Sequence, residues 1–511
     1  MPRLEARWSG VEADPRLFEP RTDLVREVQT TAGTFVQDVG PFRRYERSVQ
    51  ANGDGSITEA TSYHLDIPWF GWVFALPTRR TLSRPPTHRP SSGRQPWWAP
   101  PQRLDARAAH VLGLLAAAQV ITGYCNAVFS QTIAFAADEF DASAGAQGVA
   151  GSIVRVGIVF TVILLALADR VGRRRILVGT ALVAPILAAL GALAPSLVVL
   201  AAIQTVARPV AIALGLVVTI VAAEEMPPGS RAYAISVLGL AYALGAGTAV
   251  WALPLADLGP QGWRLVYAVG LIYLVVAHSL ARGVPESRRY QLPHAERPPL
   301  PARRFLLLAA SAFLYNLLIA PSSFYENRYL KDVRGYSATL IALFTVVTAT
   351  PGAIGVLMGG RLADVKGRRL VGTIALVAVA IGNVVVFSSM GAELWGAKVV
   401  TSILAGMAVP ALGVYAAELF PTSRRGGANG GISALSVVGS VVGLLLAGQL
   451  LDQGVTYGTV MAILALGPLT YAALVVFAYP ETARRPLDDL NPEDRTQPAP
   501  TSPEARPDPT R

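Results

Sequence analysis

Two arginines, Arg155 and Arg208, interrupt apolar runs of the chain. A guanidinium is always charged and carries five donors in a rigid fork, which suits it to a carboxylate or a phosphate. Inside an apolar run such a charge is costly, so it marks a solute path, a relay or a satisfied structural site. Arg155 lies 14 residues before Asp169, and Arg208 lies 16 residues before Glu224. At 1.5 Å per helical residue that is roughly 21–24 Å from the ends of their runs, in mid-membrane or slightly beyond. No carboxylate falls at comparable depth, since Asp138, Glu139 and Glu326 lie near the opposite ends. The expectation is a positive cavity for an anionic solute, with a backbone-satisfying structural arginine as the alternative. Neutral polar residues of the same kind of run, Gln119, Tyr124, Asn126, Gln131, Gln204, Tyr315, Asn316 and Tyr415, are candidates for the rest of a substrate-binding set. Each alone serves equally well in interhelical hydrogen bonding.

The runs that hold these residues are membrane helices. Of 511 residues 52% are hydrophobic and 15% charged, against about 25% charged in a soluble domain; mean hydropathy is +0.42. Apolar blocks of about 20 residues cross the hydrocarbon, and they lack the alternation of barrel strands. Twelve spans are expected near 109–135, 146–168, 176–194, 197–223, 233–257, 264–284, 305–326, 338–360, 371–390, 394–419, 429–451 and 456–479. The net charge of +10 gathers in loops between them, which argues for positive-inside topology and against nucleic acid. By that rule both termini are cytoplasmic and the cell membrane, inner or plasma, is the expected location. Arg328, Lys331 and Arg334 run against the bias. The single Cys125 excludes an intramolecular disulfide and a cysteine-based metal site. No nucleophile elbow, zinc motif or phosphate loop is present, so no enzyme, metal or cofactor is expected. The first residues hold no signal-peptide core.

Residues 1–107 form a cytoplasmic extension. Asn52-Gly-Asp-Gly55 is a hairpin turn between runs at Arg44–Ala51 and Ser56–Ile67. Pro68–Pro77, rich in Trp and Phe and followed by Arg79 and Arg80, reads either as an interfacial segment or as part of a small soluble hairpin. Residues 79–103 read as a flexible linker ending in Trp97-Trp98, and 480–511 as a disordered tail.

The spans repeat. Asp169 and Asp364 head matching loops, Asp169-Arg-Val-Gly-Arg173 and Asp364-Val-Lys-Gly-Arg368, at an offset of 195. Glu224 and Glu418, like Arg231 and Arg425, stand 194 apart; Pro285-Glu286 and Pro480-Glu481 stand 195 apart. The chain therefore divides into six-helix halves at 108–284 and 305–479, joined by 285–304.

On these paired loops, E-x-x-P-x-x-x-R ends and P-E-S/T ends, residues 109–485 resemble the major facilitator superfamily, with the last two motifs similar to its sugar-porter and organic-ion branches. The resemblance implies an all-α fold of twelve transmembrane helices in two pseudo-repeats, behind the small extension with its β-hairpin. It implies alternating access by a monomer in the lipid bilayer. The sugar-porter tryptophan is missing from Val409–Tyr415, and span seven lacks the glutamine pair. Arg208 matches the arginine of the family's span-four motif, which adds proton coupling as a third role for it. The resemblance also suggests a gate. Asp169 would cap the start of span eleven and Asp364 that of span five. Arg173 would pair with Glu224, and Glu286 with Arg231; Arg368, Glu418, Arg425 and Glu481 would mirror them. These pairs would form when the cytoplasmic side closes and break when it opens. Glycines of spans two and eleven (Gly148, Gly151, Gly157, Gly439, Gly443) and of five and eight (Gly245, Gly247, Gly352, Gly355, Gly359) would form the seam between halves. The function expected is a proton-coupled secondary transporter of a small organic solute, organic anions favoured. A multidrug/proton antiporter, a sugar porter and a membrane solute sensor are the alternatives.

Overall fold

The structure is a computed structural model that describes residues 3–9, 14–84, 95–285, 301–420 and 425–482, with the side chains of Asp169, Asp364 and Arg425 outside the description. Glu286 and the tail beyond Thr482 also lie outside the described residues.

The membrane part begins with α2 (Ala106–Glu139) and continues through α3 (Ala144–Val156), α4 (Ile158–Val171), α5 (Arg173–Leu190), α6 (Leu197–Glu225), α7 (Arg231–Ala252), α8 (Trp263–Val269) and α9 (Leu274–Gly283). The second half holds α10 (Ala302–Arg328), α11 (Ala338–Ala349), α12 (Gly352–Lys366), α13 (Arg368–Val386), α14 (Gly391–Gly413), the single turn α15 (Tyr415–Glu418), α16 (Arg425–Asp452) and α17 (Tyr457–Ala478). All twelve expected spans are there. Among the described residues eleven are long and apolar enough to cross a membrane as continuous stretches. Span two is the one not among them; it divides at Gly157 into α3 and α4.

That break has a counterpart. Span eight divides at Thr350-Pro351, and Gly352 stands 195 residues after Gly157. At both places the helix tightens to i→i+3 bonds, Phe160 N–H to Gly157 O at 2.9 Å and Ile354 N–H to Pro351 O at 2.9 Å. Gly157 has no room for a side chain, because a Cβ there would collide with the Thr205 carbonyl of α6. Pro351 lacks the N–H that a continuous helix would use.

The breaks also divide the packing. The segment α3 packs on α16 of the other half, and α11 packs on the end of α7. The segments α4 and α12 pack within their own halves, on α6 and α14. The halves are thus joined at one end of the bundle. That end is the far face; the end carrying the two basic loops is the basic face. Of the expected seam glycines, Gly148 and Gly151 meet Tyr325 and Phe324 of the other half. Gly245, Gly355, Gly359, Gly439 and Gly443 instead admit the backbone of a helix in their own half, namely Val120, Ile403, Met407, Phe313 and Leu317. They tighten each half rather than lubricate the seam, since small residues serve any close helix contact.

The extension exceeds a hairpin. Strands β1 (Arg3–Trp8), β2 (Arg26–Thr31), β3 (Thr34–Val39), β4 (Phe42–Ala51) and β5 (Ile57–Leu65) form an antiparallel sheet in the order β1-β5-β4-β3-β2. The expected hairpin is its centre, with Tyr45 opposite Tyr63 and Arg47 opposite Thr61. The core of the sheet is partly charged, and Glu27, the one buried charge on an outer strand, hides β2 in the sequence. Arg47 is fully buried between Glu27 at 2.7 Å and Glu59 at 3.3 Å. Tyr45 donates to Glu27 at 2.6 Å and Trp8 to Glu59 at 3.0 Å. Burial and the Glu27 carboxylate push the Tyr45 phenol well above its usual range. The aromatic segment continues into a helix, α1 (Gly71–Leu82), which takes in Arg79 to Leu82 of the expected linker.

The extension is fastened to the basic face of the first half. Asp66 meets His110 of α2 at 2.9 Å, and Trp69 donates to Ser279 of α9 at 2.9 Å. Gln102 exchanges hydrogen bonds with Gly229 and Ser230 at 2.6–2.9 Å, and Tyr233 of α7 donates to the Trp98 carbonyl at 3.1 Å.

Candidate substrate cavity

A cavity of about 210 Å³ lies between the halves, walled by α3, α4, α6, α10 and α16. Arg155 and Arg208 both line it, with Asn316, Ser323 and Ser440 from the second half. The break at Gly157 leaves Arg155 in the last turn of α3, where the helix terminus favours a cation. Arg208 lies one residue before the in-helix Pro209, and its Nε reaches Asn126 Oδ1 at 3.4 Å. Ser440 donates to Asn316 at 3.3 Å. The charge is one-sided. Position 350, equivalent to Arg155 by the 195 offset, is Thr350, and the second half gives the cavity only neutral polar groups. Ile158, Ile212, Ile319 and Val437 supply apolar wall. No carboxylate is among the lining residues described.

Of the expected binding set, the cavity therefore brings together Arg155, Arg208 and Asn316, with Asn126 behind Arg208. The structure places the others of the set away from this cavity. Gln119 donates to the Gly215 carbonyl at 3.3 Å, inside the contact of α2 with α6. Gln204 is buried between α6 and α5, against the Ala188 carbonyl. Tyr315 packs edge-on to Tyr471, and Tyr415 is buried against Tyr479 near the basic face. All four face helix neighbours within their own half. Gln131 accepts from Asn327 at 3.0 Å across the halves, nearer the far face. Ser323 and Ser440 were missed because lone serines in apolar helices carry no pattern.

The paired loops are alike in detail. Gly172 and Gly367 both take positive φ, 109° and 101°, where they stop one helix and start the next. Arg173 pairs with Glu224, and Arg368 with Glu418. Arg174 donates to the carbonyls of Ala281 and Val284, and Arg369 to that of Val476. Each pair is internal to one half, and both are formed while the halves meet at the far face. Glu286 of the expected Glu286–Arg231 pair and the Arg425 side chain of its expected mirror lie outside the described residues, whereas Glu481 is described. Its carboxylate accepts from the Arg368 and Arg369 amides at 3.1 and 3.2 Å and caps α13. Arg231 begins α7.

The far face is closed by contacts the sequence reading did not pick out. Asp452, at the end of α16, accepts from Ser143 at 2.8 Å and from the Gly145 amide at 2.9 Å, at the start of α3. Asp257, after α7, accepts from the Ala338 and Thr339 amides at 2.7 and 2.8 Å, at the start of α11. Lys331 pairs with Asp138, Arg328 donates to Gln147 at 2.9 Å, and Tyr325 to the Ala144 carbonyl at 2.8 Å.

Two six-helix halves around a cavity, hinged by contacts at one end, define a two-fold transporter bundle. The model of the Major Facilitator Superfamily matches this chain over residues 115–326 and again over 307–509, and the chain belongs to that family. Among solved structures it is similar to the xylose transporter XylE from E. coli in an inward open conformation, at 16% identity and TM-score 0.63, over 76% of this chain and 99% of that one. It is similar to a bacterial homologue of the human lysosomal transporter Spinster, inward-facing and occupied, at 16% identity and TM-score 0.58, over 76% and 99%. It is also similar to the nucleoside transporter NupG, at 13% identity and TM-score 0.59, over 72% and 100%. At these identities the likeness is one of fold. No curated protein sequence matches the chain.

Proposed function

We propose that the chain is a secondary transporter that moves a small organic anion by alternating access. The observation that carries this reading is the placement of Arg155 and Arg208 on one cavity between the halves, with no carboxylate among its described lining residues. Two guanidiniums facing a low-dielectric cavity favour an anion held by charge-assisted hydrogen bonds. Asn316, Ser323 and Ser440 orient its other end from the second half, so the solute touches both moving bodies. The basic face is cytoplasmic by its arginine excess, and the far face is the closed one here. Alternating access then requires the Asp257 and Asp452 caps to release as the basic face closes. In the opposite state Asp169 and Asp364 would cap helix starts there, as the paired loops suggest. The ion pairs Arg173–Glu224 and Arg368–Glu418 act as internal braces that let each half move as a unit. Proton coupling rests on family membership.

The test is binding to purified protein, measured by thermal shift with a panel of mono- and dicarboxylates, phosphorylated solutes, neutral sugars and organic cations. Stabilisation by anions, lost in Arg155→Ala and Arg208→Ala, supports the reading. Stabilisation by sugars or cations alone removes it.

A further inference from the structure

A second cavity, of about 270 Å³, lies outside the transport path, between the extension and the first half. Phe70, Val73 and Phe74 of the α1 region form one wall and α2 and α7 two others, with Leu24, Pro41 and Leu65 of the sheet region and Trp98 completing the lining. The lining is apolar except near the basic face, where Thr78, Gln95 and Arg103 reach it. So few polar partners cannot hold ordered water, and an apolar group there would make dispersion contacts on every wall. The cavity calls for an apolar occupant.

Its depth says which. On α7 the lining runs from Tyr233 to Leu244, eleven residues or about 16 Å along a helix. That is close to half of the roughly 30 Å hydrocarbon thickness, the reach of one lipid tail in one leaflet. The direction of opening agrees. Leu240 is 74% exposed and Val73 45%, whereas Leu104 and Ala116 at the back are buried. The mouth therefore faces sideways, between α1 and α7, toward the bilayer. Trp72, 77% exposed, stands on the outer side of α1. Arg79 and Arg80 are exposed in the last turn of α1, and Arg103 lines the same end. Aromatic side chains and arginines around an apolar slot match the headgroup level of an anionic leaflet.

We propose that one acyl chain of an anionic phospholipid, drawn from the leaflet on the basic face, fills this cavity with its headgroup at Arg79 and Arg80. The lipid then forms part of the joint between the extension and the first half. Membrane composition would set how firmly the extension is held.

The test is native mass spectrometry of the delipidated full chain, titrated with dioleoyl phosphatidylglycerol or with phosphatidylcholine of the same chains. One retained phosphatidylglycerol, bound in preference to phosphatidylcholine, is expected. Leu240→Trp fills the mouth from an exposed position, and Ala241→Phe fills the interior. Each should weaken retention about tenfold or more, since every excluded methylene weakens binding about fourfold. Arg79→Gln with Arg80→Gln should keep a bound lipid and abolish the preference for phosphatidylglycerol. A lipid adduct unchanged in both filling variants, or none on the unsubstituted chain, overturns the proposal. An unchanged preference in the arginine variant overturns the headgroup assignment. Leu240→Trp guards against misfolding, because its side chain already lies outside the core.

Discussion

Asp257 and Asp452 stand 195 residues apart, and each caps the first turn of a helix in the opposite half. Asp257 holds α11 and Asp452 holds α3, so the two contacts exchange under the internal repeat. Each of those helices also has its own serine cap, Ser337 and Ser143. The aspartates therefore add a contact between halves to helix starts that are already sound, which is what a reversible latch requires. A carboxylate at a helix start contributes about 0.3–1 kcal/mol when exposed and up to about 2 when partly buried. Two of them bias a conformational equilibrium without locking it.

The first prediction follows from that pair. Asp257→Ala combined with Asp452→Ala should shift the population away from the far-closed state by about 5-fold or more, since each cap is worth roughly 0.5–2 kcal/mol. Spin labels on exposed far-face positions Gln261→Cys and Gln453→Cys, in a Cys125→Ser background, report it by pulsed electron resonance. A longer, broader distance distribution in the double variant is expected. An unchanged distribution would show that the aspartates do not hold the far face.

Glycines on and off the seam should fail differently. Gly148 meets Tyr325 and Leu444 of the other half, whereas Gly355 meets Ile403 of its own. Gly148→Val should leave thermal stability nearly intact while lengthening the far-face distance. Gly355→Val overpacks one half and should cost about 1–3 kcal/mol of stability. Equal losses of stability in the two would contradict the division of roles.

Within the extension, Arg47→Met should destabilise the sheet by about 3–5 kcal/mol, because it strands the buried Glu27 and Glu59. Hydrogen exchange of the β4–β5 amides in the full chain measures it. Protection that survives the substitution would mean that the buried cluster is not what orders the sheet.

At the basic face, Glu481→Gln keeps an acceptor for the Arg368 and Arg369 amides but removes the charge. A loss of about 0.3–1 kcal/mol in thermal stability is expected, and Glu481→Ala should lose more. If both variants matched the unsubstituted chain, the carboxylate would not be capping α13.

Much of the membrane fold was legible because span length and the 195-residue repeat are both written in residue types. The paired loops needed only glycine, arginine and glutamate at fixed spacing, and Arg173–Glu224 and Arg368–Glu418 form as that spacing implies. Arg155 and Arg208 stood out because charge inside an apolar run is rare. The break at Gly157 was not legible, since it arises where α6 presses close, and Pro351 alone does not say whether a proline kinks a helix or divides it. Asp257 and Asp452 share the same offset as the loops, but a lone aspartate at a helix end does not name the helix start it meets. Gln119 and Gln204 looked like solute contacts because polarity in an apolar helix does not say which neighbour it faces. In the extension, β2 was obscured by its buried Glu27 and exposed Val28, which break the alternation a strand normally shows.

The central claim is that an organic anion crosses by way of Arg155 and Arg208. The direct measurement is solute-evoked current from proteoliposomes on a solid support, with carboxylates, phosphorylated solutes, neutral sugars and organic cations applied in turn, with and without a pH gradient. The account predicts currents with one or more anions, abolished by Arg155→Ala and strongly reduced by Arg208→Lys, which keeps the charge and loses the planar fork. Anion currents that persist unchanged in Arg155→Ala, or currents evoked only by sugars or cations, would contradict it.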